Sequence, residues 1–154
     1  MLVPGNAGAL PSAISTFIGP GAGHLQVGNL KVAGGTATIS PTIYSALDAI
    51  SGVNTITRLA GANRYETSVA INANVFPAHS VDTAFFATGT SFADALGGGA
   101  SAAHYNAPLY TVQPNCVPAG TLAALHTLGD EITQIALMGG TATLSNNVEN
   151  LVSC

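Results

Sequence analysis

Charge is what this chain has least of. Only 6% of its 154 residues are Asp, Glu, Lys or Arg, against roughly 25% in ordinary globular proteins. The basic residues number three, Lys31, Arg58 and Arg64, and the formal net charge is −4. Nucleic-acid binding needs several phosphate contacts from Lys or Arg on one face. Three cations cannot build such a face, so nucleic acid is excluded as a partner. No uninterrupted apolar run reaches about 18 residues, so no membrane span is expected. The opening Met1-Leu2-Val3-Pro4-Gly5 has no basic stretch followed by an apolar one. It is not a signal peptide, and if the parent is exported its signal is expected upstream. No C-x-x-C occurs, and His24, His79, His104 and His126 are scattered, so no metal site is expected. Neither G-x-G-x-x-G nor a P-loop is present, which disfavours a nucleotide-binding enzyme and leaves no cofactor to expect.

Hydrophobic residues make up 47% of the chain, enough to bury a core. With so few charges, the surface must be covered by Ser, Thr, Asn and Gly. Such surfaces point toward secreted and wall-associated proteins. Two cysteines, Cys116 and Cys154, flank the last segment. They are either bridged or two buried thiols. A bridge would remove roughly 3–4 kcal/mol of unfolded-chain entropy and imply an oxidising compartment.

One segment occurs twice. Gly34-Gly35-Thr36-Ala37-Thr38-Ile39-Ser40 returns as Gly139-Gly140-Thr141-Ala142-Thr143-Leu144-Ser145, an offset of 105 residues. A fixed period signals a repeated structural unit. The chain is too short for two whole copies, so it reads as part of a tandem array.

Short apolar runs alternate with helical stretches. Residues 30–33 form a strand that stops at Gly34-Gly35. Ser40-Pro41 reads as an N-cap with proline at the first helical position. The helix after it buries Ile43, Tyr44, Leu47 and Ile50. Residues 51–62 read as a connection. Asn63 and Glu66 are spaced as a capping box, ahead of a helix with Tyr65, Val69, Ala73 and Phe76 on one stripe. Residues 84–88 read as a strand buried on both faces. Residues 91–105 form a helix of small residues, with Ser91 as its N-cap. Its Gly97-Gly98-Gly99 costs about 1 kcal/mol per glycine relative to alanine, which requires a close approach to a neighbour. Strands at 108–112 and 132–138 and a helix at 119–128 follow, and Ser145 opens a last helix. This alternation predicts an α/β fold, a sandwich with a parallel sheet. Ligands of such sheets meet the carboxyl ends of the strands.

The segment Thr57-Arg58-Leu59-Ala60-Gly61-Ala62-Asn63-Arg64-Tyr65-Glu66-Thr67 resembles the R-x-x-G-x-x-R-Y-x-T signature of the type-2 cell-wall-binding repeat. Ala87 to Leu96 is similar to that family's G-x-x-F-x-D-A-L element. Ala107-Pro108-Leu109-Tyr110 stands at its A-P-I-L-L strand, and Gly139-Gly140 at its G-G. Four elements match in order and spacing. On this resemblance residues 55–154 are one complete module, and residues 1–54 are the C-terminal half of the one before it. Val3-Pro4 then stands where the strand at 109–112 stands in the second copy. The first copy has no cysteine and is longer before its Gly-Gly.

The resemblance implies a Rossmann-like three-layer sandwich with a short parallel sheet, in tandem modules, and a non-catalytic anchor. Such modules hold exported proteins of Gram-positive bacteria non-covalently on the wall through an anionic secondary polymer. The implied partners are a wall polysaccharide or teichoic-acid-like polymer and neighbouring modules of the array. The implied location is secreted and wall-associated.

Candidate polymer contacts are Arg58, Arg64, Tyr65, Ser91, Asp94, Gly139, Gly140 and Thr141. Guanidinium forks suit phosphate or carboxylate, although an internal ion pair of each arginine with a carboxylate, Asp94 foremost, is the favoured use of them. Asp94 also favours the dipole at a helix start. The Gly139-Gly140-Thr141 turn can cradle an anion with backbone N–H groups or simply need a positive φ. Two further readings stand beside the anchor. The chain can be a packing unit with no ligand of its own. It can also be an enzyme, since Gly89-Thr90-Ser91 resembles the nucleophile segment of subtilisin-like proteases. A serine nucleophile needs a positioned base. His104 lies thirteen residues along the same predicted helix, roughly 20 Å away, which is too far for a hydrogen bond.

Overall fold

The computed structural model describes residues 1–78, 80–129 and 132–154. His79, one of the four scattered histidines, lies outside them. The chain divides into two compact units, Met1–Leu59 and Ala60–Cys154.

The first unit holds α1 (Ser12–Ile18), β1 (Asn29–Ala33), α2 (Pro41–Asp48) and β2 (Thr55–Leu59). Ser40 caps α2, its side chain accepting from Ile43 N at 3.3 Å, with Pro41 beside it as the sequence predicts. Ile43, Leu47 and Ile50 are buried with Ile18 and Val32 in one cluster. Residues 51–62 are more than the connection expected. Thr55–Leu59 forms a strand that pairs in parallel with β1. The segment on which the second sequence module opens thus completes the sheet of the first unit. Helix α1 had no counterpart in the sequence reading.

The second unit holds α3 (Arg64–Val75), β3 (Thr83–Thr88), α4 (Ala93–His104), β4 (Leu109–Val112), α5 (Ala119–Leu128), β5 (Gln134–Met138) and a single turn, α6 (Asn146–Glu149). Its sheet is parallel throughout, in the order β4-β3-β5. Successive residues of a strand face opposite sides. Ala84 and Phe86 join Tyr110, Val112, Leu125 and Leu128 under α3 and α5. Phe85 packs instead with Ala102 and Ala107 of the α4 side. The result is the three-layer sandwich expected from the alternation. Burial pushes the Tyr110 phenol up to about 12, so the side chain stays neutral inside this core.

Helix α3 keeps only part of the expected apolar stripe, with Val69 and Phe76 packed against the core. Its buried residues are Ser68 and Asn72, and Ala73 is exposed. The cause is the edge of the sheet. Asn72 Nδ2 donates to Leu109 O at 2.8 Å, and Ser68 Oγ accepts from Thr111 N at 3.2 Å. Two polar side chains thereby satisfy the free side of β4, an edge that must be covered or paired.

The three glycines of α4 are not equivalent. A Cβ on Gly98 would lie 2.7 Å from Met138 Cγ and 2.8 Å from Leu109 Cδ1, whereas Gly97 and Gly99 meet nothing within 4 Å. The close approach is real, but one glycine carries it. Gly98→Ala is expected to destabilise by about 1–2 kcal/mol through overpacking. Gly97→Ala is expected to stabilise by about 0.5–1 kcal/mol through helix propensity and a less flexible unfolded chain. Urea unfolding of the two variants checks the opposite signs.

Cys116 and Cys154 are joined as a disulfide, closing a sequence separation of 38 residues. The last residues are also tied by backbone bonds, Val117 N to Val152 O at 2.8 Å and Cys154 N to Val117 O at 3.0 Å.

The repeat is visible in the backbone. Gly34 has φ +125° and Gly139 φ +123°, each directly after a strand. Thr38 N donates to Gly35 O at 3.0 Å, and Thr143 N to Gly140 O at 2.9 Å. Ser40 N donates to Gly5 O, as Ser145 N does to Pro114 O.

Candidate functional site

The carboxyl ends of β3 and β4 and the start of α3 and α4 meet around one cleft in the second unit. Arg64, Thr88, Gly89, Thr90, Ser91, Phe92, Ala95 and Thr111 line its volume of about 580 Å³. The geometry begins with the cap of α3. Asn63 Oδ1 accepts from Tyr65 N at 3.0 Å and Glu66 N at 2.9 Å, and Glu66 Oε2 accepts from Ala62 N at 2.9 Å. That is a variant of the predicted capping box, with Glu66 reaching one residue further back. The cap fixes where Arg64, the first helical residue, points.

Arg64 Nη1 donates to Gly89 O. A Cβ at Gly89 would lie 2.5 Å from Tyr65 Cε1 and 3.1 Å from Arg64 Cδ, so only glycine admits both side chains over the strand end. Thr111 Oγ1 donates to Arg64 O at 3.1 Å and holds the helix start against β4. Arg64 itself is exposed. A guanidinium has five N–H donors in a planar fork, and one of them is used as an anchor.

Arg58 belongs to the first unit and is half-buried. Its Nη1 donates to Gly34 O at 2.6 Å, and its guanidinium carbon lies 4.5 Å from the centroid of the Tyr44 ring. Both arginines therefore bind the carbonyl of a glycine that follows a strand. Among the described residues neither makes the ion pair with Asp94 that the sequence reading favoured; each binds a backbone carbonyl instead.

Asp94 sits in the first turn of α4 beside the Gly139 turn. A Cβ on Gly139 would lie 2.8 Å from Asp94 Oδ2 and 2.3 Å from Thr143 Oγ1. Thr143 Oγ1 donates to Gly140 O at 2.9 Å, which closes the turn. The positive φ of Gly139 supports the turn use of this segment. The neighbouring carboxylate raises the electrostatic cost of an anion there.

Ser91 is exposed at the cleft but does not cap α4. The capping position is taken by Phe92, without a side-chain bond. Phe92 is also what sequence reasoning missed. It is 81% exposed at the cleft lip, where its ring is open to a ligand or a packing partner. Its place inside the Gly-Thr-Ser-Phe-Ala-Asp run was the available signal.

The profile of the Cell wall binding domain 2 (CWB2) matches residues 58–149, more than half of the chain. The chain belongs to this family. It is 30% identical over 99 residues to the N-acetylmuramoyl-L-alanine amidase LytC of Bacillus subtilis (strain 168), a match covering 64% of this chain and 19% of the amidase. The structure is similar to Cwp8 from Clostridium difficile, with a TM-score of 0.75, 27% identity, and coverage of 94% of this chain and 23% of Cwp8. It shares its fold with Cwp6 from the same organism at a TM-score of 0.77 and 22% identity, over 94% of this chain and 22% of Cwp6. The chain spans less than a quarter of the length of each of these relatives. This CWB2 chain carries a cell-wall-binding module, the mark of an extracellular, wall-associated protein. No helix among the described residues is long and apolar enough to cross a membrane.

Proposed function

We propose that the cleft at the ends of β3 and β4 binds an anionic wall polymer, of the teichoic-acid or acidic polysaccharide class, and so anchors an exported Gram-positive protein non-covalently. The observation that carries this reading is Arg64. Its guanidinium is held on Gly89 O yet exposed at the cleft. That leaves most of a preorganised fork for phosphate or carboxylate oxygens. Thr90 and Ser91 supply neutral hydroxyls, and Phe92 supplies an apolar platform for a sugar ring. Tyr65 packs behind Gly89 and positions the arginine. Asp94 and the Gly139-Gly140-Thr141 turn are not among the residues that line the cleft, and in this reading they support the start of α4.

The net charge of −4 opposes simple attraction to a polyanion. Recognition is therefore local and weak at each site, and tandem modules raise the effective concentration. Arg58 has a structural part in this reading, since its half-buried guanidinium binds Gly34 O and stacks on the Tyr44 ring.

The test is co-sedimentation with purified Gram-positive walls before and after acid extraction of their secondary polymers. Binding is expected to disappear on extraction. Arg64→Ala is expected to weaken it about tenfold, equivalent to about 1.4 kcal/mol, with unfolding little changed. Equal binding to extracted walls would sink the polymer reading.

A second reading, a packing unit for neighbouring modules, is favoured by Leu96, which is 73% exposed one turn beyond Phe92 on α4. If that face packs, the protein self-associates with rising concentration, and Leu96→Asp is expected to abolish this in sedimentation equilibrium. Wall binding by a strict monomer would favour the anchor.

A further inference from the structure

Gly99 of α4 has no neighbour that requires a glycine, since a Cβ there would meet nothing within 4 Å. Glycine is among the poorest residues for a helix interior. What Gly99 borders is a groove of about 410 Å³, within the range of about 300–1,000 Å³ typical of small-ligand sites. The groove follows the free edge of β4, between α3 and α4. Ser68 and Asn72 of α3, Gly99 and Ala103 of α4, and Leu109 and Thr111 of β4 line it. Thr111 also lines the Arg64 cleft, so the two spaces adjoin there. Arg64, Ser68 and Asn72 follow at intervals of about one helical turn, and the rise of the helix puts Asn72 about 12 Å along α3 from Arg64.

Asn72 carries the chemical signal. It is 5% exposed, and its Nδ2 donates to Ser68 O at 2.9 Å and to Leu109 O at 2.8 Å. Both amide hydrogens are used, so the side chain is fixed. Its Oδ1 accepts no hydrogen bond among the described residues. The fully buried side-chain polar atoms without a partner among them are Thr121 Oγ1 and Ser145 Oγ. Asn72 Oδ1 therefore still reaches open space, and the open space beside Asn72 is the groove. A fixed acceptor without a protein donor fits a hydroxyl or amide donor from outside.

The other walls narrow the occupant. No charged side chain lines the groove, so an ion gains no partner in it. Ile71, Phe76 and Leu109 present apolar surface. A peptide strand is poorly served, because strand addition uses the main-chain groups of an edge. Here Leu109 O and Thr111 N are already held by Asn72 and Ser68.

We propose that this groove is a second subsite, which takes an uncharged, hydroxyl-bearing sugar residue of the polymer whose anionic group sits at Arg64. The proposal rests on the polymer reading of the cleft and extends it along α3. A sugar hydroxyl donates to Asn72 Oδ1, and the C–H face of the ring lies on the apolar wall. Gly99 keeps the width that the ring needs.

The test uses the whole chain and two probes. One is the acid-extracted wall polymer. The other is its uncharged fragments, obtained by partial hydrolysis and collected in anion-exchange flow-through. The fragments are expected to shift the NMR signals of the Asn72 side-chain amide and the Gly99 backbone amide saturably, in Arg64→Ala as in the unaltered chain. Gly99→Leu fills the groove from a position with open space before it. It is expected to fold with an unchanged or higher urea midpoint, to bind the fragments at least tenfold more weakly and the intact polymer about tenfold more weakly. Gly97→Leu, outside the groove, is expected to change neither. Should Gly99→Leu fail to fold, Ala103→Leu blocks the same wall from an exposed position. The subsite is overturned if the fragments shift neither signal, if the blocked variants bind them unchanged, or if Arg64→Ala abolishes the shifts. Loss of polymer binding in Arg64→Ala with no fragment binding would leave the cleft standing and remove the groove. Fragment binding that Gly99→Leu blocks, with polymer binding unchanged in Arg64→Ala, would do the reverse.

Discussion

Converting both Cys116 and Cys154 to serine is expected to lower the unfolding free energy by about 4 kcal/mol. The closed loop has a sequence separation of 38 residues, and the entropy released by opening a loop of that size is about 4 kcal/mol in the chain model. The tail that the bridge secures has little else to hold it. Leu151 and Val152 are 37% and 44% exposed, and α6 is a single turn. The two backbone bonds to Val117 remain, but alone they must hold a free chain end. Urea unfolding with and without reductant measures the effect, and the double serine variant separates it from side reactions of thiols. A loss below about 1 kcal/mol would mean that Val117 and its ladder hold the tail without the bridge.

Gly139→Ala is expected to cost about 3 kcal/mol. A side chain at positive φ costs roughly 1–3 kcal/mol by itself. Here the new methyl also meets Thr143 Oγ1 at 2.3 Å and Asp94 Oδ2 at 2.8 Å. Relief requires the turn to open or Asp94 to move, and the second of these disturbs the start of α4 and the cleft. Wall binding should fall together with stability. The molecule provides two controls. Gly34 has nearly the same φ, but its Cβ would come no nearer than 3.4 Å to Thr38. Gly34→Ala should therefore cost only the backbone part, about 1–2 kcal/mol. Gly140 meets nothing within 4 Å, and Gly140→Ala should stay within about 0.5 kcal/mol. Equal losses at 34 and 139 would show that Asp94 yields freely.

The features legible in the sequence were those written in local chemistry. Ser40-Pro41 and Asn63 with Glu66 announced their helix starts, and the backbone groups they cap depend on neighbours within four residues. The run 84–88 was continuous and apolar because both faces of β3 are covered. The repeated Gly-Gly-Thr-Ala-Thr carried its φ with it, since a positive φ is a property of the glycine and its turn. What escaped depended on partners far along the chain. Thr55–Leu59 mixes threonines with Ile56, Arg58 and Leu59, and it is a strand because β1 offers an edge about 26 residues earlier. Ser68 and Asn72 look like a solvated face until β4 is placed beside them with its own unbonded groups. The arginines suggested ion pairs because the sequence shows charges and not carbonyls. Each found a glycine carbonyl at a strand end. Phe92 was read through its neighbours, and only the fold shows that its ring stands in water.

One consequence concerns how arrays of this kind lengthen and shorten. On the family resemblance β2 opens the second module, yet it serves the sheet of the first unit. The unit of inheritance and the unit of folding are out of phase by a few residues. An excision that starts at Thr55 therefore takes a strand from the sheet of the first unit.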